Sequence, residues 1–267
     1  MTQDFKDKPK PLDLQSGIIY GPVNSRRLGS SLGLNLLPTV YKFCSFNCVY
    51  CQYGLTRPSA LIKEPQSCDD MPSPEDMERA LSSALKEYSG VSYITFSGNG
   101  ESTMHPQFPE MVDVVISCRD RLSRESETAI LSNSTGLLFP EARESIFKLD
   151  APFMKLDAGS RDLFQRINRP DRSIEFEKIV EELINFSHPN LKLQAIFFDG
   201  DPCNTTEKNV DEWAALLSKI KPLEVHIYTT ERPVADSRVL PISIEKLNWI
   251  ASRAEEISGV CVIPFHR

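Results

Sequence analysis

From about Leu32 to the C-terminus, short apolar runs of strand length alternate with stretches whose apolar residues recur at helical spacing. A chain that repeats strand then helix about six times has few folds open to it. Each crossover helix forces its two strands to run parallel, and the helices must pack against the sheet that results. The pattern therefore predicts an α/β fold, a parallel sheet curled into a partial (β/α)6-type TIM barrel with a short N-terminal extension. Strands are expected near 32–37, 93–97, 129–131, 152–156, 191–198, 224–228 and 260–264.

The helices carry their own start signals. Ser73-Pro74-Glu75-Asp76 offers a cap, a first-turn proline and early acids, followed by Met77, Leu81, Leu85 and Tyr88 on one face. Helices are expected at about 108–122 and 141–149. Ser173 is read as the cap of a helix with Phe176, Val180, Leu183 and Ile184 as its stripe. Asn204 with Glu207 resembles a capping box ahead of Val210, Trp213, Leu217 and Ile220, and Ser243 caps a last helix through Ile257.

At 267 residues and 40% hydrophobic, the chain can bury one sizeable core. One domain is expected over 17–267, preceded by a polar, proline-containing flexible N-terminal arm over 1–16. A net charge of -7 argues against a broad phosphate-binding surface and hence against a nucleic-acid partner, while a local basic patch at Arg26 and Arg27 stays open. The N-terminus lacks the apolar core of a signal peptide, and no run approaches the roughly 18 apolar residues of a membrane span. A cytoplasmic protein without a membrane partner is expected. In that reducing compartment, clustered thiols read as metal ligands rather than disulfides.

Such a cluster follows the first expected strand. Cys44-Ser-Phe-Asn-Cys48-Val-Tyr50-Cys51 brings three thiolates to one point by C-x3-C-x2-C spacing and supplies no fourth ligand nearby. A 4Fe-4S cluster held this way has one iron free to bind a small molecule. Zinc with a ligand from elsewhere is the competing reading, although structural zinc sites commonly use paired C-x2-C units and no second pair exists. Cys68, Cys118, Cys203 and Cys261 are scattered singly and read as structural, Cys118 and Cys261 as small buried hydrophobes.

In a barrel, chemistry collects where strands end. The second strand ends in Ser97-Gly98-Asn99-Gly100-Glu101, where glycine admits a closely approaching ligand and a carboxylate accepts from an ammonium group. An ordinary glycine-rich turn is the competing reading, and without the cysteine loop it is the one favoured. It is not the dinucleotide fingerprint, because position 103 is Thr103. The third strand ends in Leu131-Ser132-Asn133-Ser134. In the fourth, Lys155 and Asp157 share a side by period-two alternation, as a salt bridge or as cofactor contacts. Gln194 and Tyr228 are polar residues in apolar runs, consistent with buried hydrogen bonds. Arg26 and Arg27 read as a solvated pair, a gate or an anion site. His105 is read as a helix-start residue and His226 as a core histidine.

The cysteine spacing, with an aromatic residue before the last cysteine, resembles the signature of radical S-adenosylmethionine (radical SAM) enzymes. The segments Gly21-Pro22-Val-Asn-Ser25-Arg26-Arg27-Leu28-Gly29, Leu32-Gly-Leu-Asn-Leu-Leu-Pro38, Ser97-Gly-Asn-Gly-Glu101 and Tyr228-Thr-Thr-Glu-Arg232-Pro233 resemble a poorly characterised radical SAM subgroup. That subgroup is related to the radical SAM enzyme of wybutosine synthesis. The resemblance runs from Gly17 onward.

It implies a 4Fe-4S cluster on Cys44, Cys48 and Cys51, with S-adenosylmethionine chelating the open iron. Asn99, Gly100 and Glu101 match the family's Gly-Gly-Glu-Pro-like motif at the methionine end, with the first glycine replaced by Asn99 and the proline by Ser102. Ser132 and Asn133 fall near the ribose, Tyr50 beside the adenine, Asp157 among the cofactor contacts, and Phe46 as an apolar wall. An electron from an external one-electron reductant of flavodoxin or ferredoxin type would cleave the cofactor to a 5'-deoxyadenosyl radical. That radical takes hydrogen from an unknown substrate, a small molecule or a macromolecule. The same loop spacing serves enzymes that activate a glycyl-radical partner protein, and a non-catalytic zinc or iron-sulfur binding protein is a third reading. The wybutosine enzyme's extra N-terminal cysteines have no counterpart before Cys44, which with the acidic charge argues against the same tRNA reaction.

Overall fold

A computed structural model describes residues 11–266. Of the expected arm, residues 1–10 lie outside the described residues. Residues 11–16 form no regular element but are fastened to the body, Leu12 N donating to Gln52 O (2.7 Å) and Gln15 N to Asn99 Oδ1 (2.7 Å).

The chain then runs β1 (Ile19–Ser25), β2 (Gly29–Asn35), α1 (Pro74–Glu87), β3 (Tyr93–Ser97), α2 (Phe108–Leu122), β4 (Glu127–Ser132), α3 (Pro140–Phe147), β5 (Ala151–Lys155), α4 (Arg161–Asn168), α5 (Phe176–Asn185), β6 (Lys192–Phe197), β7 (Asp199–Gly200), α6 (Glu207–Ile220), β8 (Glu224–Thr229), β9 (Val239–Leu240), α7 (Ile244–Ser258) and β10 (Val262–Phe265). An eight-stranded sheet is ordered β1-β2-β3-β4-β5-β6-β8-β10, and β7 pairs with β9 in a small antiparallel ribbon. Within the large sheet only β1 runs against its neighbour. The order begins at β1 and ends at β10, so the expected partial TIM barrel is an open half-barrel.

Alternation along the strands sorts two cores. Ile94, Phe96, Ile130, Met154, Leu193 and Val225 face the helices and join one continuous cluster with Met77, Leu81, Met111, Val115, Leu183 and Trp213. On the concave face Ala129, Ala151 and Phe153 form a second, small cluster. Alanine leaves room there, and Leu28 from the turn between β1 and β2 fills it. The hairpin tip thus folds into the barrel, and this placement fixes the neighbouring Arg27.

Several local expectations are corrected. The hairpin strand β1 lies before the expected alternation; it accommodates Pro22, which lacks a ladder donor, as an edge strand with an irregular register between Tyr20 and Val23. Helix α4 was missed altogether. Asn204 does not cap α6. Thr206 does, accepting from Asn209 N, while the Asn204 side chain is buried among backbone groups of Phe198, Asp157 and Ile196. Ser173 closes a local turn on Asp171 and the cap position of α5 is Glu175. Ile184 is 39% exposed and lies off the buried stripe. Cys118 is buried as expected, but Cys261 is exposed, because it precedes β10 outside the core. Among the described residues no helix is long and apolar enough to cross a membrane.

Candidate active site

The loop after β2 is pinned on three sides. Phe43 N donates to Asn99 O (3.0 Å) and Phe43 O accepts from Glu101 N (3.1 Å), which ties the loop to the end of β3. Cys44 N donates to Ala60 O (3.1 Å), and Asn47 N and Val49 N donate to the last carbonyls of α4 at Asn168 (3.0 Å) and Ile167 (2.9 Å). Gly100 is required at the first tie: its φ is +150°, and a Cβ there would lie 1.8 Å from Phe43 O.

This framework brings Cys44, Cys48 and Cys51 to the wall of one cavity of about 310 Å³. Burial pushes the Cys44 thiol up to about 12 and the Cys48 thiol to about 11, with the Lys42 ammonium acting against it. Lys42 is itself buried and donates to Gly54 O (2.9 Å). Burial alone would lower its ammonium, yet the adjacent cysteines hold it above its ordinary value. Among the described residues no set of three or more His, Cys, Asp or Glu side chains is gathered as a metal-ion site. The thiols stand along the cavity wall instead.

The sulfurs are supplied with donors suited to an iron-sulfur centre. Phe46 N (3.5 Å) and Asn133 Nδ2 (3.7 Å) point at Cys44 Sγ, and Asn168 Nδ2 (3.6 Å) points at Cys48 Sγ. Hydrogen bonds to sulfur and a largely buried surround are the two protein features that set a cluster's potential. Phe46, 2% exposed, supplies the apolar wall. The donor set therefore fits a three-cysteine cluster.

Gly100, Glu101, Ser132 and Asn133 line the same cavity. Glu101 is 1% exposed, and its Oε1 accepts from Thr103 Oγ1 (2.7 Å), Thr103 N (3.3 Å) and Ser132 Oγ (2.9 Å), while Oε2 accepts from Asn133 N (2.6 Å). Burial raises its carboxyl above the ordinary range and these donors oppose the rise. Tyr50 also lines the cavity; its hydroxyl donates to Asp157 Oδ2 and accepts from Asn168 Nδ2 (2.7 Å).

Two expected contacts stand back from the cavity wall. Asn99 is fully buried, its side chain spent on Gln15 N, Gln15 O and Pro38 O. Asp157 lies behind Tyr50 and Lys155, pairing with Lys155 Nζ (3.2 Å) and accepting from Ile196 N (3.0 Å). Burial alone would lower the Lys155 ammonium, but Asp157 and then Tyr228 raise it, so Lys155 is a cation here.

Sequence reasoning missed two participants: Lys42 stood two residues from the motif without a signal of its own, and Asn168 belongs to the unexpected α4. Arg27, read with Arg26 as a solvated pair, a gate or an anion site, reaches the cavity. Arg26 does point outward, to Glu231. His105 is buried against Pro72 O (3.1 Å), and His226 is a core residue on Glu224 (2.9 Å).

Fold and site together define an α/β half-barrel with three cysteine thiols lining a cavity at its strand ends. Residues 39–202 match the Radical SAM superfamily, and the chain belongs to it. The superfamily's cofactors, a 4Fe-4S cluster and S-adenosylmethionine, come with that membership. The chain is 31% identical over 247 residues to a UPF0026 protein of Methanocaldococcus jannaschii, covering 91% of this chain and 72% of that one. It is 29% identical over 236 residues to a Brachyspira hyodysenteriae protein named GTPase Obg, covering 88% of this chain but spanning only 33% of that protein. In fold it is similar to a structure of TYW1 with a lysine-pyruvate adduct bound, with a TM-score of 0.63 at 16% identity over 87% of this chain and 76% of that one. The superfamily read from the motifs is the one found, and the likeness to the TYW1 structure is one of fold.

Proposed function

We propose that this protein is a radical SAM enzyme that reductively cleaves S-adenosylmethionine and uses the 5'-deoxyadenosyl radical to take a hydrogen atom from a substrate yet to be identified. One observation carries the reading: three thiols on one pinned loop, a four-donor carboxylate and the Ser132-Asn133 strand end all open onto one cavity. Cys44, Cys48 and Cys51 would hold the cluster. Gly100 brings backbone close to the methionine end, and Glu101 offers its ammonium a preorganised acceptor. Ser132 and Asn133 would serve the ribose and Tyr50 the adenine, with Asp157 fixing the Tyr50 hydroxyl from behind. Asn99 would act by anchoring the turn. The electron would come from an external flavodoxin- or ferredoxin-type reductant.

The test uses anaerobically reconstituted, dithionite-reduced protein, in which the wild type binds S-adenosylmethionine and forms 5'-deoxyadenosine while Cys51→Ala does neither. Iron-loaded wild type that neither binds the cofactor nor cleaves it would overturn the proposal.

A further inference from the structure

The cysteine end of the cavity is accounted for by cluster and cofactor. Its other end, toward the β1–β2 turn, is not. There the Arg27 side chain crosses from the hairpin to β6 and β8, its Cζ 4.7 Å from the Tyr228 ring centroid and NH1 donating to Gln194 Oε1 (2.8 Å). Gln194 is 4% exposed and held in turn by Phe153 O (3.4 Å). The backbone beneath is fixed as well, since Leu28 is buried in the concave-face cluster.

Arg27 is therefore a guanidinium clamped in plane by an aromatic face and at one corner by an amide. Of its five N–H donors, a single one is engaged by a side chain among the described residues. No carboxylate meets it there either. Several arginines are matched, Arg119 by Asp150, Arg161 by Glu177 and Arg253 by Asp211. Arg27 instead shares its aromatic neighbour with a second cation, Lys155 Nζ, 5.3 Å from the Tyr228 centroid. Lys155 has its counter-charge in Asp157. A half-buried cation beside another cation is costly to hold without an anion, and a stacked, planar fork with free edges is the form that takes carboxylate or phosphate in a bidentate grip.

Position adds a second argument. Arg27 and Tyr228 also line an adjoining cavity of about 390 Å³, with Thr229, Glu231 and Arg232. Arg27 thus stands at the junction between the reaction cavity and the open side of the half-barrel. An anionic group held there would leave the rest of its molecule inside, directed toward the cysteine end.

We propose that the substrate carries a carboxylate or phosphate group that docks on Arg27, with Gln194 and Tyr228 orienting the guanidinium. This rests on the radical SAM reading, and it makes Arg27 a specificity-determining residue rather than a seam-closing strut.

The test is isothermal titration of the iron-loaded protein, kept saturated with S-adenosylmethionine so that an anion cannot occupy the cofactor's own carboxylate site. Inorganic phosphate and propionate are the two probes. At least one is expected to bind, the tighter of them identifying the phosphate or carboxylate source, with Arg27→Gln weakening it about tenfold or more, as the loss of charge-assisted hydrogen bonds requires. Arg161→Gln, at an exposed arginine paired with Glu177 elsewhere on the surface, should leave it unchanged. Should Arg27→Gln fail to fold, Arg27→Lys keeps the charge but loses the fork and should still weaken binding. Failure of both probes to bind wild type, or wild-type affinity in a folded, iron-loaded Arg27 variant, overturns the proposal. The same samples are assayed for 5'-deoxyadenosine. Cleavage without Arg27-dependent binding sinks the anion site alone, whereas Arg27-dependent binding without cleavage or cofactor binding retains the site and sinks the radical reading.

Discussion

Gly100→Ala tests the tie between the strand end and the cysteine loop. The added methyl would lie 1.8 Å from Phe43 O and 2.6 Å from its carbonyl carbon, where a carbon-oxygen contact needs about 3.3 Å. Phe43 must therefore retreat by about 1.5 Å, and it is bonded on both sides, to Asn99 O and Glu101 N. Losing two hydrogen bonds at about 1 kcal/mol each, with about 1–3 kcal/mol of overpacking, gives a cost of about 3–5 kcal/mol. Cys44 is the next residue, so cluster loading should fall with stability. Gly90→Ala is the control: its φ is +70° with nothing within 4 Å of the new methyl, so it reports backbone strain alone, about 1–2 kcal/mol. Urea unfolding of the apoprotein and iron content after reconstitution read the two effects. If Gly100→Ala costs no more than Gly90→Ala and loads iron fully, the strand-end tie does not position the loop and the reasoning fails.

Three further outcomes are expected. Asn168→Leu removes the donor to Cys48 Sγ; a hydrogen bond of about 1 kcal/mol corresponds to about 40 mV in a one-electron couple, so the cluster midpoint should fall by about that much in a redox titration followed by electron paramagnetic resonance. An unchanged midpoint at full iron content would remove Asn168 from this role. Asn204→Ala strips partners from Phe198 N, Asp157 O and Ile196 O and should cost about 3 kcal/mol or more in urea unfolding, against about 1 kcal/mol for the true cap variant Thr206→Ala; equal losses would contradict the assignment. His105 is held below its ordinary value by burial, with Pro72 O acting the other way. The unfolded chain therefore takes up its proton first, near pH 6.5, and stability falls as pH drops below that value until the folded pKa is passed. The decline between pH 7 and 5.5 should be shallower in His105→Gln, and a wild-type slope would refute it.

The helices on the convex face were legible because each buries one stripe against the sheet and exposes the other, a pattern carried by consecutive residues. Met77, Leu81 and Leu85 are buried where their spacing placed them. The shorter α4 has only Leu163, Phe164 and Ile167 to signal it, with no side-chain cap at Ser160. The cysteine motif was legible for a related reason: its three cysteines fall within eight residues of sequence, although long-range ties to the ends of β3 and α4 hold the loop in place. Asp157 and Asn99 were expected among the cofactor contacts, yet both stand behind the cavity wall, because their side chains are taken up by long-range partners, Gln15 and Pro38 for Asn99 and Tyr50, Lys155 and Ile196 for Asp157. The anion site belongs to the opposite case. Arg27 and Gln194 meet across 167 positions, and their meeting depends on the hairpin tip turning inward, which in turn depends on Ala129 and Ala151 leaving room for Leu28. Enlarging either alanine would push Leu28 outward and carry Arg27 off Tyr228 without touching a cofactor residue. On the proposed reading the cluster ligands sit close together in one loop, whereas the grip on an anionic substrate depends on how the interior of the barrel is filled.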